Sequence, residues 1–157
     1  MKNLLFSFIL IGSALFYSCS SNDDKPVIVT PPVQSSLTAN VNGTDVVFDA
    51  PTVTKEFLTT PEGVPYTDLI VTANKKNDAS TKINFRLEHM TSGIETCYYF
   101  LYQMSASEFD IENGETFMVD VTENTANKIK GNFSGTLSTF DSNNVTMTNG
   151  QFDVTFL

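Results

Sequence analysis

The chain has 157 residues, with 18 Asp and Glu against 9 Lys and Arg, and its formal net charge is −9. Nucleic acids and anionic lipid headgroups recruit basic patches, so this acidic balance excludes nucleic-acid binding from the expected functions. A single histidine, His89, excludes a metal site built from several histidines.

The first 18 residues have the pattern of a signal peptide. Lys2 precedes an apolar run of about 14 residues that ends at Tyr17, whereas a membrane-spanning helix needs roughly 20. The run closes in F-Y-S-C, which resembles the lipobox of bacterial lipoproteins. That resemblance implies cleavage before Cys19 and lipid attachment to its thiol, which would hold the mature chain at a membrane without a spanning segment. The alternative is a plain secreted protein with an incidental cysteine.

Residues 19–36 are predicted to form a lipidated tether. They are polar and carry three prolines, a composition that favours extended chain over packed structure. The V-I-V run at 27–29 leaves open an additional edge strand. The remaining residues, 37–157, have the length of a single domain.

From Leu37 onward, apolar and polar residues alternate as they do in β-strands. Asn42 and Gly43 predict a tight turn between strands at 37–41 and 45–49. The total of about eight to nine strands predicts an all-β fold, either an antiparallel β-sandwich or a partly open barrel. The later candidate strands are 52–58, 68–74, 82–90, 96–104, 116–123, 127–139 and 144–157.

Strand 96–104 is apolar on both faces. Strict alternation places Tyr98 with Phe100 on one face and Tyr99 with Leu101 on the other. A strand with two apolar faces is expected at the centre of a fold, covered on both sides.

Glycan binding is disfavoured by the absence of tryptophan, because exported β-domains usually bind sugars on exposed aromatic platforms. The tyrosines available within the domain are Tyr66, Tyr98, Tyr99 and Tyr102. Three of these lie in strand 96–104 and are predicted to pack in the core or at its rim.

The last two predicted strands, 127–139 and 144–157, are expected to pair antiparallel and to bury Phe133, Leu137, Phe152 and Phe156. Within the second strand, the inward positions are odd-numbered up to Met147 and even-numbered from Phe152. One extra residue restores the alternation, which predicts a β-bulge with Asn149 or Gly150 at positive φ. A tight Asn-Gly hairpin is the alternative.

Few residues point to catalysis, and no catalytic, cofactor-binding or metal-ligating residue is predicted. His89 ends an inward strand face and is expected to lie at the rim, while Cys97 is expected to be a small buried apolar residue. The acidic run E-F-D-I-E-N-G-E at 108–115 is the best material for a hydrolase or a calcium site, although it does not match a calcium-loop spacing. A solvated acidic edge is the alternative.

Several segments together resemble small Bacteroidota lipoproteins that carry a β-rich domain of unknown function. They are C-S-S-N-D-D after the signal peptide, L-T-A-N-V-N-G-T at the start of the domain, and K-I-K-G-N-F-S-G-T-L and V-T-M-T-N-G-Q-F-D-V-T-F at its end. The resemblance implies an envelope location and a sandwich-like fold, and it supplies no activity. Asp23 and Asp24 look like the acidic surface-export signal of such lipoproteins, which implies the outer face of the outer membrane.

These observations predict a non-enzymatic envelope lipoprotein that acts as a binding, adhesion or accessory module. Its membrane contact is expected through Cys19, it needs no cofactor, and its protein or glycan partner is left open. The alternatives are a secreted hydrolase that uses the acidic cluster at 108–115, and an envelope assembly subunit with a large exposed apolar patch.

Overall fold

The computed structural model describes residues 34–111 and 117–157. The predicted signal peptide, Cys19, Asp23 and Asp24 lie outside the described residues, as do almost all of the tether and the end of the acidic run at 112–115. Within the two described ranges, no helix is long and apolar enough to cross a membrane.

The described chain is all-β, as predicted. Nine antiparallel strands form one sheet in the order β6-β5-β4-β3-β2-β1-β9-β8-β7, and a single turn of 3₁₀ helix at Ile94–Thr96 precedes β5. The strands are β1 (Ser36–Val41), β2 (Thr44–Thr59), β3 (Pro65–Lys75), β4 (Asp78–Glu88), β5 (Cys97–Met104), β6 (Ser107–Asp110), β7 (Met118–Asn124), β8 (Lys128–Ser138) and β9 (Asn144–Thr155).

The sheet curls until its two edges meet. Asp110 of β6 pairs with Ser138 of β8, and Gly93, which follows β4, forms an isolated bridge with Val121 of β7. These two contacts join opposite sides of the sheet at two separate positions. Each contact consists of one residue pair, so the fold is a partly open barrel.

The first hairpin forms where the sequence predicts it. Asn42 and Gly43 both have positive φ, and Val41 pairs directly with Thr44 across the turn, which is the geometry that an Asn-Gly turn favours. The predicted strands at 45–49 and 52–58 are wrong as separate elements. They form the single strand β2, because an irregularity between Asp49 and Thr52 absorbs the proline without ending the ladder.

Aromatic rings fill the centre of the barrel. Phe85 stacks on Phe100 with ring centroids 5.5 Å apart, and it also contacts Phe152 at 5.2 Å. Phe100 lies 5.1 Å from Phe133. The rings thus connect β4 and β5 to β8 and β9, and the predicted burial of Phe133, Leu137, Phe152 and Phe156 is confirmed.

The pairing of β8 with β9 is built around two reciprocal pairs of glycine and phenylalanine. Gly131 lies opposite Phe152, and Phe133 lies opposite Gly150. A methyl group on Gly131 would overlap the Phe152 ring, and one on Gly150 would overlap the Phe133 ring. Each phenylalanine therefore occupies the space that a side chain would take on the neighbouring strand.

The predicted bulge in β9 is present at Asn149, whose φ is 52°. The registers of β9 with both of its neighbours shift at this level, and β9 runs without a break from Asn144 to Thr155. The alternative of a tight hairpin is therefore wrong. The positive φ belongs to Asn149 and not to Gly150, which is required by the Phe133 ring rather than by its own backbone conformation.

Candidate functional site

A bulge in β5 breaks the alternation that the sequence predicts. Cys97 pairs with Leu87 and Tyr99 pairs with Arg86, so Tyr98 is an extra residue with no partner in this ladder. Leu87 faces the core and Arg86 faces outward. The bulge therefore allows two consecutive tyrosines, Tyr98 and Tyr99, to lie on the same outer face of the sheet.

The exposure of the tyrosines corrects the prediction that they pack in the core or at its rim. Tyr102 is 2% exposed, as predicted, but Tyr98 is 56% exposed and Tyr99 is 37% exposed. The strand does lie between β4 and β6, yet its outer face is not covered. In a barrel made of one sheet, only one face of each strand meets the core, and tyrosine tolerates the other face because its ring ends in a hydroxyl.

Tyr98 and Tyr99 form one wall of an open groove, whose other lining residues, Asn84 and Arg86, come from β4. Its volume is about 440 Å³. Asn84 and Arg86 alternate with the buried residues Ile83, Phe85 and Leu87, so both point away from the core. We call this feature the tyrosine groove.

Hydrogen bonds across three strands fix the polar side of the tyrosine groove. Arg86 Nη1 donates to Glu56 Oε2 of β2 over 2.9 Å, and both side chains remain partly exposed. Asn84 Nδ2 donates to Thr72 Oγ1 of β3 over 2.8 Å. The amide oxygen of Asn84 is left as a hydrogen-bond acceptor beside the tyrosine rings.

Asp68 of β3 lies beneath Tyr98 and is 1% exposed. The Tyr98 hydroxyl donates to Asp68 Oδ2, while Oδ1 is buried without a hydrogen-bond partner among the described residues. Burial and the hydrogen bond to Asp68 raise the pKa of the Tyr98 phenol, and nearby Arg86 opposes this rise. The phenol therefore remains protonated and covers the carboxylate.

His89 lies at the rim of the barrel, where the alternation places it. Its ring Nε2 is 3.3 Å from the Thr125 carbonyl oxygen, and its ring edge approaches Phe156 at 6.3 Å between centroids. Lys55 also closes this end of the barrel, since its Nζ donates to the Ala126 carbonyl and lies 5.1 Å from the centre of the Phe156 ring. These contacts give His89 a packing role.

Cys97 is half-buried and packs against the core. Burial raises the pKa of its thiol from 9.0 to about 12, although the thiol also donates to the Tyr99 carbonyl over 3.4 Å. Because the thiolate is the nucleophilic form, this environment opposes a reactive cysteine.

Only part of the predicted acidic cluster at 108–115 lies within the described residues. Glu108 and Asp110 point outward from β6 on either side of the buried Phe109, and both are exposed. The rest of the cluster lies outside the described residues. In the part of the chain that the structure describes, no group of three or more His, Cys, Asp or Glu side chains is arranged to hold a metal ion.

No family model, no curated protein and no solved structure matches this chain.

Proposed function

We propose that this chain is a lipid-anchored protein of the bacterial cell envelope and that its β domain is a non-enzymatic binding module. Ligand binding is assigned to the tyrosine groove. The observation that carries the proposal is the bulge in β5, which places Tyr98 and Tyr99 side by side on a rigid sheet face next to Arg86 and Asn84.

The rigidity of this surface supports a binding role. Arg86 and Asn84 are fixed by hydrogen bonds to neighbouring strands, and the inward side of the same strand pair is anchored by the stacked rings of Phe85 and Phe100. Preorganised side chains lose little conformational entropy when a ligand binds. Tyrosine suits such a surface because it offers a large amphipathic contact area with few rotatable bonds.

The protonation states in the tyrosine groove support binding over catalysis. A nucleophile or general base needs a reactive protonation state near neutral pH. The raised pKa of Tyr98 keeps its phenol protonated, and Arg86 is engaged in an ion pair with Glu56. The Tyr98 phenol therefore offers neither a base nor a nucleophile near neutral pH.

The proposed location in the cell envelope rests on the N-terminal sequence. F-Y-S-C and the polar tether carry the lipoprotein resemblance, and Asp23 with Asp24 carries the implied display on the outer face. Cys19→Ala is expected to abolish partitioning into detergent, because lipid on Cys19 is the expected anchor. Replacing Asp23 and Asp24 by alanine is expected to keep the lipid and to reduce access of external protease on intact cells.

The binding role is tested with the mature-length chain carrying Cys19→Ala, applied to immobilised polysaccharides, extracellular proteins and lipid vesicles. We expect retention on at least one of these classes, without chemical change of the retained material. Retention should be lost in the double variant Tyr98→Ala/Tyr99→Ala and kept in Phe140→Ala, which removes a fully exposed aromatic residue outside the groove. Retention that persists in Tyr98→Ala/Tyr99→Ala, or release of reaction products from the retained material, would contradict the proposal.

A further inference from the structure

We infer that the ligand of the tyrosine groove is a neutral saccharide. This inference rests on the proposed function and adds the chemical class of the ligand. It follows from three properties of the site: the two aromatic rings, the mixture of donors and acceptors beside them, and the local balance of charge.

The rings of Tyr98 and Tyr99 suit the apolar faces of a sugar. A pyranose ring presents C–H groups on its faces and hydroxyls around its edge, so it stacks on aromatic rings while its edge seeks hydrogen bonds. Because the bulge brings two adjacent tyrosines to one face, the groove offers neighbouring ring surfaces at 56% and 37% exposure. Adjacent residues in a regular strand point to opposite faces and cannot form such a platform.

The polar side of the groove matches hydroxyl groups. Arg86 uses Nη1 for Glu56, and a guanidinium carries further N–H donors. Asn84 directs its amide hydrogens to Thr72, which leaves its oxygen as an acceptor. A hydroxyl both donates and accepts, so a polyhydroxylated ligand can bind an arginine and an amide oxygen at the same time.

The local charge selects a neutral ligand over a charged one. Arg86 is the cation of the groove, and it is balanced by Glu56 while Asp68 lies nearby beneath Tyr98. An anionic ligand would find the charge of Arg86 already balanced by Glu56, on a chain whose net charge is −9. A cationic peptide would find Glu56 already paired with Arg86 and Asp68 covered by Tyr98.

The open shape of the groove implies weak binding at each site. A groove that encloses only one side of a ligand buries little of its surface, so a dissociation constant on the order of 0.1–1 mM is expected for an oligosaccharide. Lipid-anchored copies on one cell surface would bind a polymer with repeated units more tightly through multivalency.

The test is affinity electrophoresis of the mature-length chain carrying Cys19→Ala, in native gels that contain a single soluble polysaccharide. The neutral panel consists of polymers of glucose, mannose, galactose and xylose, and the anionic panel contains polyuronates. We expect retardation by at least one neutral polymer and none by the polyuronates. Isotope-labelled protein titrated with the matching oligosaccharide should shift amide signals of β4 and β5 first.

Four variants separate the contributions within the site. Tyr98→Ala and Tyr99→Ala should each weaken retardation by about tenfold or more, as expected for aromatic anchors. Tyr98→Phe keeps the ring and should weaken retardation less than Tyr98→Ala does, whereas the control Phe140→Ala, which lies outside the groove, should remain within about threefold of the parent. Far-ultraviolet circular dichroism checks folding, and Tyr99→Ala carries the test if Tyr98→Ala unfolds the domain by removing the hydrogen-bond donor to Asp68.

The outcomes distinguish this inference from the proposed function. Absence of retardation across the neutral panel, or retardation that survives both alanine variants, overturns the saccharide assignment. Retention on an immobilised protein that depends on the groove would also overturn the saccharide assignment, while the proposed binding function would stand. Loss of all groove-dependent retention would overturn both.

Discussion

The bulge in the β8–β9 pair and the bulge in the β4–β5 pair have opposite consequences. In β8 and β9, the extra residue at Asn149 returns the chain to its inward phase, so Phe152 reaches the core. In β4 and β5, the extra residue is Tyr98, and it moves an aromatic side chain out of the inward phase to the outer face.

The difference lies in what surrounds each bulge. In β8 and β9, the Phe133 and Phe152 rings lie over glycines of the opposite strand, and this packing leaves no room for a side chain on either glycine. In β4 and β5, the displaced ring lies over Asp68 and beside Arg86, where half of its surface meets solvent. The same backbone device thus preserves the core in one place and creates a surface in the other.

The largest expected effect is the removal of a core ring from β8 or β9. Phe133→Ala or Phe152→Ala should each lower the free energy of unfolding by about 3–5 kcal/mol, because the ring leaves a cavity among other rings. Against a total of about 5–15 kcal/mol, the midpoint of chemical denaturation should fall visibly.

The matched change on the outer face is Tyr99→Ala, which should alter the free energy of unfolding by no more than about 0.5 kcal/mol. Equal losses for Phe133→Ala and Tyr99→Ala in the same denaturation series would remove the contrast between the two strand pairs.

Two glycine substitutions compare the stability cost of a steric overlap with the cost of an unfavourable backbone conformation. Gly150→Ala places a methyl group in the Phe133 ring and against the Phe133 carbonyl, so it should cost at least about 3 kcal/mol. Gly63→Ala meets no atom within 4 Å but adopts φ +85°, so it should cost only about 1–2 kcal/mol. A larger loss for Gly63→Ala in urea denaturation would show that the ring of Phe133 does not set the requirement at Gly150.

The third effect concerns Cys97, the inward neighbour of the β5 bulge. With its pKa raised from 9.0 to about 12, the thiolate fraction at pH 8 should fall from about 0.1 to about 10⁻⁴. In the Cys19→Ala chain, where Cys97 is the single thiol, a disulfide reagent should react about 1,000-fold more slowly with native than with denaturant-unfolded protein.

The same shift has a defined pH dependence. Because the folded thiol holds its proton more tightly than the unfolded one, its contribution to stability is complete below about pH 9 and is lost as the pH rises towards 12.

In the disulfide-reagent experiment, a rate for the native protein within about tenfold of the rate for the unfolded protein would place Cys97 outside the core.

The sequence predicts β9 well and β5 poorly, for physical reasons. In β9, the switch from odd to even inward positions coincides with Asn149, a residue type that tolerates positive φ, so both the bulge and its place are visible. In β5, the run C-Y-Y-F-L-Y is apolar throughout and offers no polar marker of which side faces water. Only the pairing of Tyr99 with Arg86 identifies the outer face, and that pairing is a tertiary fact.

Hydroxyl-radical footprinting of the native chain with residue-level mass spectrometry tests the outward placement of Tyr98 and Tyr99 most directly. The bulge predicts strong oxidation of both Tyr98 and Tyr99 and protection of Tyr102, in line with exposures of 56%, 37% and 2%. Regular alternation without a bulge predicts that Tyr98 is protected together with Tyr102 while Tyr99 alone is oxidised. That second result would contradict the bulge, and with it the tyrosine groove.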